Sequence, residues 1–147
     1  FTREAADHPF AIKTPLSLSK KYGASVYSTV RRYVRTNARS CVVVVLEPTT
    51  LVPGHGFTAK LRRVVASPTF EAQFGPMSWP EVFTPDDALG RIVPIGRRMS
   101  RPQQVVLTDA NGTQHECIAE GFDSTHQVFI LICPQGALTK KTVLMPA

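Results

Sequence analysis

LSLSKKYGASVYSTVRRYVRT, residues 16–36, reads as two short helices joined by a tight turn. Leu16, Leu18 and Tyr22, then Val26, Val30, Tyr33 and Val34, recur at three- and four-residue steps, which gives each half one apolar stripe at helical period. Gly23-Ala24-Ser25 separates the stripes. Glycine takes the left-handed backbone conformation that ends a helix, and the Ser25 hydroxyl can accept from the free N–H groups at the start of the next one. The pattern is that of a helix-turn-helix. In the usual motif a buried aliphatic stands six residues after the turn glycine. Here that place is Thr29, followed by Val30, so the second helix is expected to be rotated or less well set into its partner.

The second helix carries Arg31, Arg32 and Arg35, which makes its solvent side cationic, and Lys20 and Lys21 close the first. Residues 1–40 hold eight basic and two acidic side chains, a net charge of +6, whereas residues 41–147 hold nine of each. The whole excess therefore sits on the helical segment. Such a face suits an anionic partner, whether nucleic acid or an acidic protein surface, with Lys20, Lys21, Ser25, Arg31, Arg32 and Arg35 as the contact residues. Helix pairs with a basic outer face also occur where no such partner exists, as a solvated surface.

At 147 residues, 43% of them hydrophobic, the chain can hold one ordinary domain with a real core, or one domain and a small appendage. The longest apolar run, 41–46, is far short of the roughly 20 residues that cross a bilayer, and no charged-then-apolar leader opens the chain. No membrane partner is expected. Cys41, Cys117 and Cys133 are odd in number, widely separated and each set in a β-type run. They read as reduced core residues of a cytoplasmic protein. The first residue is Phe1 rather than Met, so the sequence is expected to be processed or a piece of something longer.

Residues 1–7 could form a helical turn or two that His8-Pro9 breaks, and Thr14-Pro15 reads as a helix start with the hydroxyl at the cap. After residue 39 the period changes. CVVVVL (41–46) is β-branched and apolar on both faces, as a central strand is, and FTAKLRRVVAS (57–67) can pair with it antiparallel across the loop at 48–56. Residues 68–102 hold six of the twelve prolines and the single Trp79. They predict a long irregular segment with a short helical turn at 85–89. Residues 104–108 and 113–119 make a hairpin around a turn ending in Asn111-Gly112. A turn at 121–125 leads to a last apolar strand, QVFILIC (127–133), halted by Pro134; the tail to Ala147 reads as a short helix or a surface segment. The sum is an α+β chain: a helical segment over 1–39, then a mainly antiparallel sheet of about five strands over 40–147.

No catalytic constellation assembles. His8, His55, His115 and His126 are scattered without the spacing that puts two ligands on one helical face, so no metal site is expected. There is no nucleophile elbow and no phosphate-binding glycine loop. Asp86-Asp87 after Thr84-Pro85 looks like a helix cap with first-turn charges. The remaining candidate is the Trp79 loop. Phe70, Phe74, Met77, Trp79 and Phe83 either line a small-molecule pocket on the sheet, with Phe74, Met77, Trp79 and Phe83 as its wall, or plug the sheet face as ordinary core. Arg97, Arg98 and Arg101 either meet an anion at its mouth or form a solvated run.

The phrases Phe1-Thr2-Arg3-Glu4-Ala5-Ala6, Leu18-Ser19-Lys20-Lys21-Tyr22-Gly23-Ala24-Ser25 and Val30-Arg31-Arg32-Tyr33-Val34 resemble the part of ImmA/IrrE-type bacterial proteins that follows their zinc-peptidase domain. Some members of that family add a GAF-like sensor domain, an antiparallel sheet of five or six strands with a pocket under its long connections. The helical likeness covers about a quarter of the chain; the GAF-like likeness is one of architecture alone. The family's HExxH helix and further zinc ligand are absent from these residues. The resemblance therefore implies a non-catalytic regulatory region, with zinc confined to a preceding peptidase domain. Its implied partners are DNA or a helix-turn-helix repressor, together with a small-molecule signal. Two other readings are a free-standing ligand-responsive DNA-binding regulator and a structural module that holds oligomers together.

Overall fold

Five consecutive side chains that avoid water, Val42–Leu46, demand cover on both sides, and the fold is arranged to give it. The computed structural model describes residues 13–22 and 25–135: a mixed α+β fold in which a few helices pack on a curled antiparallel sheet, a half-barrel. Helices α1 (Lys13–Tyr22) and α2 (Val26–Arg35) precede strands β1 (Val42–Leu46), β2 (Thr50–Val52) and β3 (Gly56–Ala66). There follow α3 (Pro68–Phe74), β4 (Val82–Phe83), a 3-10 turn (Gly90–Ile92), β5 (Gln103–Thr108), β6 (Gln114–Asp123) and β7 (Val128–Pro134). The strand order is β2-β3-β1-β7-β6-β5, with β4 pairing with β3 off that path, and every pairing is antiparallel. The first and last strands are central neighbours, with Val44 opposite Ile130.

Alternation along β1 and β7 divides their side chains between two cores. Val42, Val44, Leu46, Val128, Ile130 and Ile132 join Phe70, Phe74, Phe83, Leu89 and Ile92 from the connection between β3 and β5. Val43, Val45, Phe129 and Leu131 meet Val30, Tyr33 and Val34 of α2 on the opposite face. Burying those three α2 side chains fixes the helix to the sheet by roughly 5–9 kcal/mol, an upper figure. The α2 stripe thus completes the sheet's core across residues 39 and 40. Thr29 is buried as well, so the inward place of the helix-turn-helix pattern is shared by a threonine and Val30. Ser25 caps α2 as its sequence position predicts, its hydroxyl accepting from the Ser28 N–H at 3.1 Å.

Several expectations need correction. α1 begins at Lys13, so Thr14 and Pro15 lie inside its first turn and do not mark its cap. The segment after β3 opens with a helix: Ser67 accepts from the Phe70 N–H, Pro68 occupies the first turn, Glu71 follows three residues later, and Gly75 at φ +69° ends it. Residues 85–89 form a hydrogen-bonded turn and not a regular helix: the Asp87 N–H donates to the Thr84 carbonyl at 3.0 Å, the Asp87 carboxylate accepts from the Thr84 N–H at 2.8 Å, and the 3-10 turn follows at Gly90–Ile92. The loop at 48–56 contains β2, and with β4 this brings the sheet to seven strands. β6 does not turn at Gly121 but runs on to Asp123, where Ser124 closes the turn onto the Gln127 carbonyl. Gly121 sits there because a Cβ would collide with the Ile92 carbonyl and the Ser100 hydroxyl. The β5–β6 hairpin is as expected, with Asp109 accepting from the Asn111 and Thr113 N–H groups at 2.8 and 2.9 Å. Residues 1–12, 23–24 and 136–147, and the side chains of Lys13, Leu18, Ser19, Lys21 and Tyr22, lie outside what is described, and with them the expected helical turn over 1–7, the Gly23 turn and the C-terminal tail.

Candidate anion-binding cleft

Where α2 crosses the C-terminal half of β3, the two elements leave an open cleft of about 620 Å³. Tyr27, Arg31 and Arg35 line it from α2, four residues apart and so on one helical face. β3 contributes Arg63 and the segment from Val64 to Ala66, and α3 contributes Glu71. Period two on β3 explains the placement. Val65 is buried against α2, so Arg63, two residues earlier, projects from the same face beyond the apolar contact.

Each end of the cleft is tied down. Arg35 donates through Nη1 to the Ala66 carbonyl at 2.7 Å and to Glu71 Oε1 at 2.9 Å. That ion pair is half exposed, and such pairs contribute little to stability; its effect is to orient the guanidinium. At the other end Arg63 lies over the Tyr27 ring, 5.2 Å from its centroid, and donates to the Tyr27 hydroxyl at 3.2 Å. The Arg31 side chain, between them, makes no ion pair or hydrogen bond among the described residues. Three guanidinium groups thus face one carboxylate.

Neither a family model nor a curated protein matches this chain.

Of the contact residues expected from sequence, two line this cleft. Arg31 and Arg35 share the cleft; Arg32, one residue round the helix, is exposed but does not line it. Lys20 is exposed on α1, and the side chain of Lys21 lies outside the described residues. The Ser25 hydroxyl serves as the α2 cap and bonds to Ser28 Oγ at 2.8 Å. Tyr27, Arg63 and Glu71 are members that sequence reasoning missed. For Arg63 a signal exists, since it shares strand parity with Val65; Glu71 could be placed only once α3 was known.

The Trp79 loop covers the other face of the sheet. Phe74 and Phe83 are fully buried in its core, Phe74 stacking on Phe70 with centroids 4.1 Å apart, and Met77 and Trp79 are half-buried against that core. A second cleft, of about 370 Å³, lies between the 3-10 turn and β5 and is lined by Arg91, Ile92, Gln104, Val106 and Glu116 rather than by those aromatics. Arg97, Arg98 and Arg101 are exposed, and Arg98 lies over the Phe122 ring at 5.8 Å.

Among the described residues no group of three histidine, cysteine, aspartate or glutamate side chains gathers as a metal site, and no helix is long and apolar enough to cross a membrane. All three cysteines are buried and free. Burial pushes their thiols up, to about 12 for Cys41 and Cys133 and about 11 for Cys117. They are protonated at neutral pH and so poor nucleophiles.

Proposed function

We propose that the chain is a non-catalytic regulatory region, a helix-turn-helix segment and a GAF-like sensor domain, of an ImmA/IrrE-like zinc metallopeptidase that controls a transcriptional repressor. In this reading the arginine face of α2 docks an anionic surface of the repressor. The observation that carries it is the cleft itself: Arg31, Arg35 and Arg63 converge beside a helix whose apolar stripe is anchored in the sheet. Arg35 and Arg63 are held in place before association by Ala66, Glu71 and Tyr27, which lowers the ordering cost at those two side chains. The antiparallel sheet with a long covering connection is in keeping with the GAF-like part.

The test is the coding frame upstream of Phe1. An in-frame segment bearing HExxH supports the peptidase reading, and a frame without one removes it. A second reading, a free-standing DNA-binding regulator, is favoured by the +6 charge of residues 1–40 and by the exposure of Arg31 and Arg32. It predicts duplex binding that falls steeply with salt and is lost on replacing both arginines by alanine, since phosphate contacts release counterions.

A further inference from the structure

The cleft is not uniform along its length. Tyr27, Arg31 and Arg35 rise along α2 in steps of about 6 Å, four residues at 1.5 Å each. At the Arg35 end Glu71 already supplies a counter-charge. At the Tyr27 end Arg63 is held by a ring and a hydroxyl, neither of which neutralises it. The excess charge is therefore local, two guanidinium groups at Arg31 and Arg63 that approach from different walls. Tyr27 accepts from Arg63, so the proton of its own hydroxyl remains available for donation into the same space.

We propose that this end of the cleft is a binding site for a phosphate monoester, seated on Arg31 and Arg63 with the Tyr27 hydroxyl as a third donor. Charge and shape both select that class. A monoester carries close to two negative charges near neutral pH, matching two uncompensated cations, whereas each phosphodiester of a nucleic-acid backbone carries one. A carboxylate presents two oxygens in one plane and is served best by a single guanidinium fork. The donors reach the cleft from two walls, the helix and the strand, and the three terminal oxygens of a phosphoryl group can meet them from different directions. Arg63 is oriented before any ligand arrives, which lowers the ordering cost of binding. Glu71, at the far end, limits the site by occupying Arg35. The inference goes beyond the peptidase reading and does not depend on it.

Titration calorimetry on the full chain tests it, with glycerol phosphate, a short phosphoserine peptide, succinate and duplex DNA as probes. Monoester binding is expected, with succinate at least about tenfold weaker, and Arg31→Gln should weaken the monoester about tenfold, the worth of one charge-assisted hydrogen bond. Glu71→Gln should bind it at least as tightly as the natural chain, because Arg35 is released. Both positions are exposed, so folding is not at stake. Tighter binding of glycerol phosphate or of the peptide tells whether the phosphate comes from a free metabolite or a modified side chain; the site stands in either case. Unchanged affinity in Arg31→Gln, equal binding of succinate, or binding of duplex DNA without the monoester would overturn it. The upstream coding frame has no bearing on these outcomes, so the peptidase reading can fail while the site stands, and the reverse.

Discussion

Replacing Ser67 by alanine should be among the most damaging single-atom deletions in this protein. The Ser67 hydroxyl is fully buried and has three partners. It accepts from the Phe70 N–H at 3.2 Å, which caps α3, and from the Cys41 N–H at 3.0 Å at the entry to β1, and it donates to the Arg39 carbonyl at 2.9 Å. Loss of a helix cap costs about 1 kcal/mol. Stranding the Cys41 N–H away from water costs a further 1–3 kcal/mol or so. The expected loss is roughly 2–4 kcal/mol, or about 5–15 °C in Tm for a chain of this size. Ser25→Ala is the internal comparison, because Ser25 caps α2 in the same way but is exposed, and should lose only about 0.5–1 kcal/mol. Urea unfolding of the two variants, followed by far-ultraviolet circular dichroism, measures the difference. Equal losses of 1 kcal/mol or less would show that Ser67 is an ordinary cap and that the link between α3 and β1 carries no weight.

Three further outcomes can be checked on the same footing. Gly121→Ala should destabilise by about 1–3 kcal/mol in urea unfolding, because its Cβ meets the Ile92 carbonyl of the 3-10 turn that packs on β6. Gly112→Ala, with open space around it, should pay only for its positive φ of 86°. The hydrogen bond from His115, with help from the Asn111 and Thr113 N–H groups, holds the Asp109 carboxyl below its ordinary 3.8. Its contribution is present in full above that value and is lost as pH falls through the lower, folded one. The urea midpoint should therefore drop on acidification below about pH 4, and Asp109→Asn should remove that part of the drop. The buried thiols work at the other extreme. Unfolded cysteine ionises near 9.0, whereas the folded thiols hold their protons to about 11 or 12. Stability should therefore decline as pH rises above 9, and iodoacetamide labelling at pH 8, read by mass spectrometry, should be slow until urea is added.

Legibility in the sequence followed the strength of local patterns. Val42–Leu46 could be read as a doubly covered strand because no polar residue interrupts it, and the Ser25 cap and the Asn-Gly hairpin rest on short-range chemistry that tertiary structure leaves alone. α3 is equally local, with Ser67, Pro68 and Glu71 in capping order, but the six prolines between 68 and 102 mask it, since proline favours a helix at its first turn and opposes one elsewhere. β6 passes through Gly121 because the glycine answers to Ile92, 29 residues earlier in the chain, and not to a turn. The arginines of α2 were visible as a cationic face. Their division was not: which of them enters the cleft depends on β3 lying beside Tyr27 and Arg31, and Arg35's neutralisation depends on α3. Contacts between elements 31 to 36 residues apart leave no periodic trace.

The central claim is that the α2–β3 cleft is where this protein meets an anion. Amide chemical shifts followed by nuclear magnetic resonance during a glycerol phosphate titration test it most directly. Shifts that saturate and cluster at Tyr27, Arg31, Arg35, Arg63 to Ala66 and Glu71 are predicted, and they should vanish in Arg31→Gln. Saturating shifts centred instead on Arg97, Arg98 and Arg101, or on the cleft beside β5, would place the anion elsewhere and contradict the account.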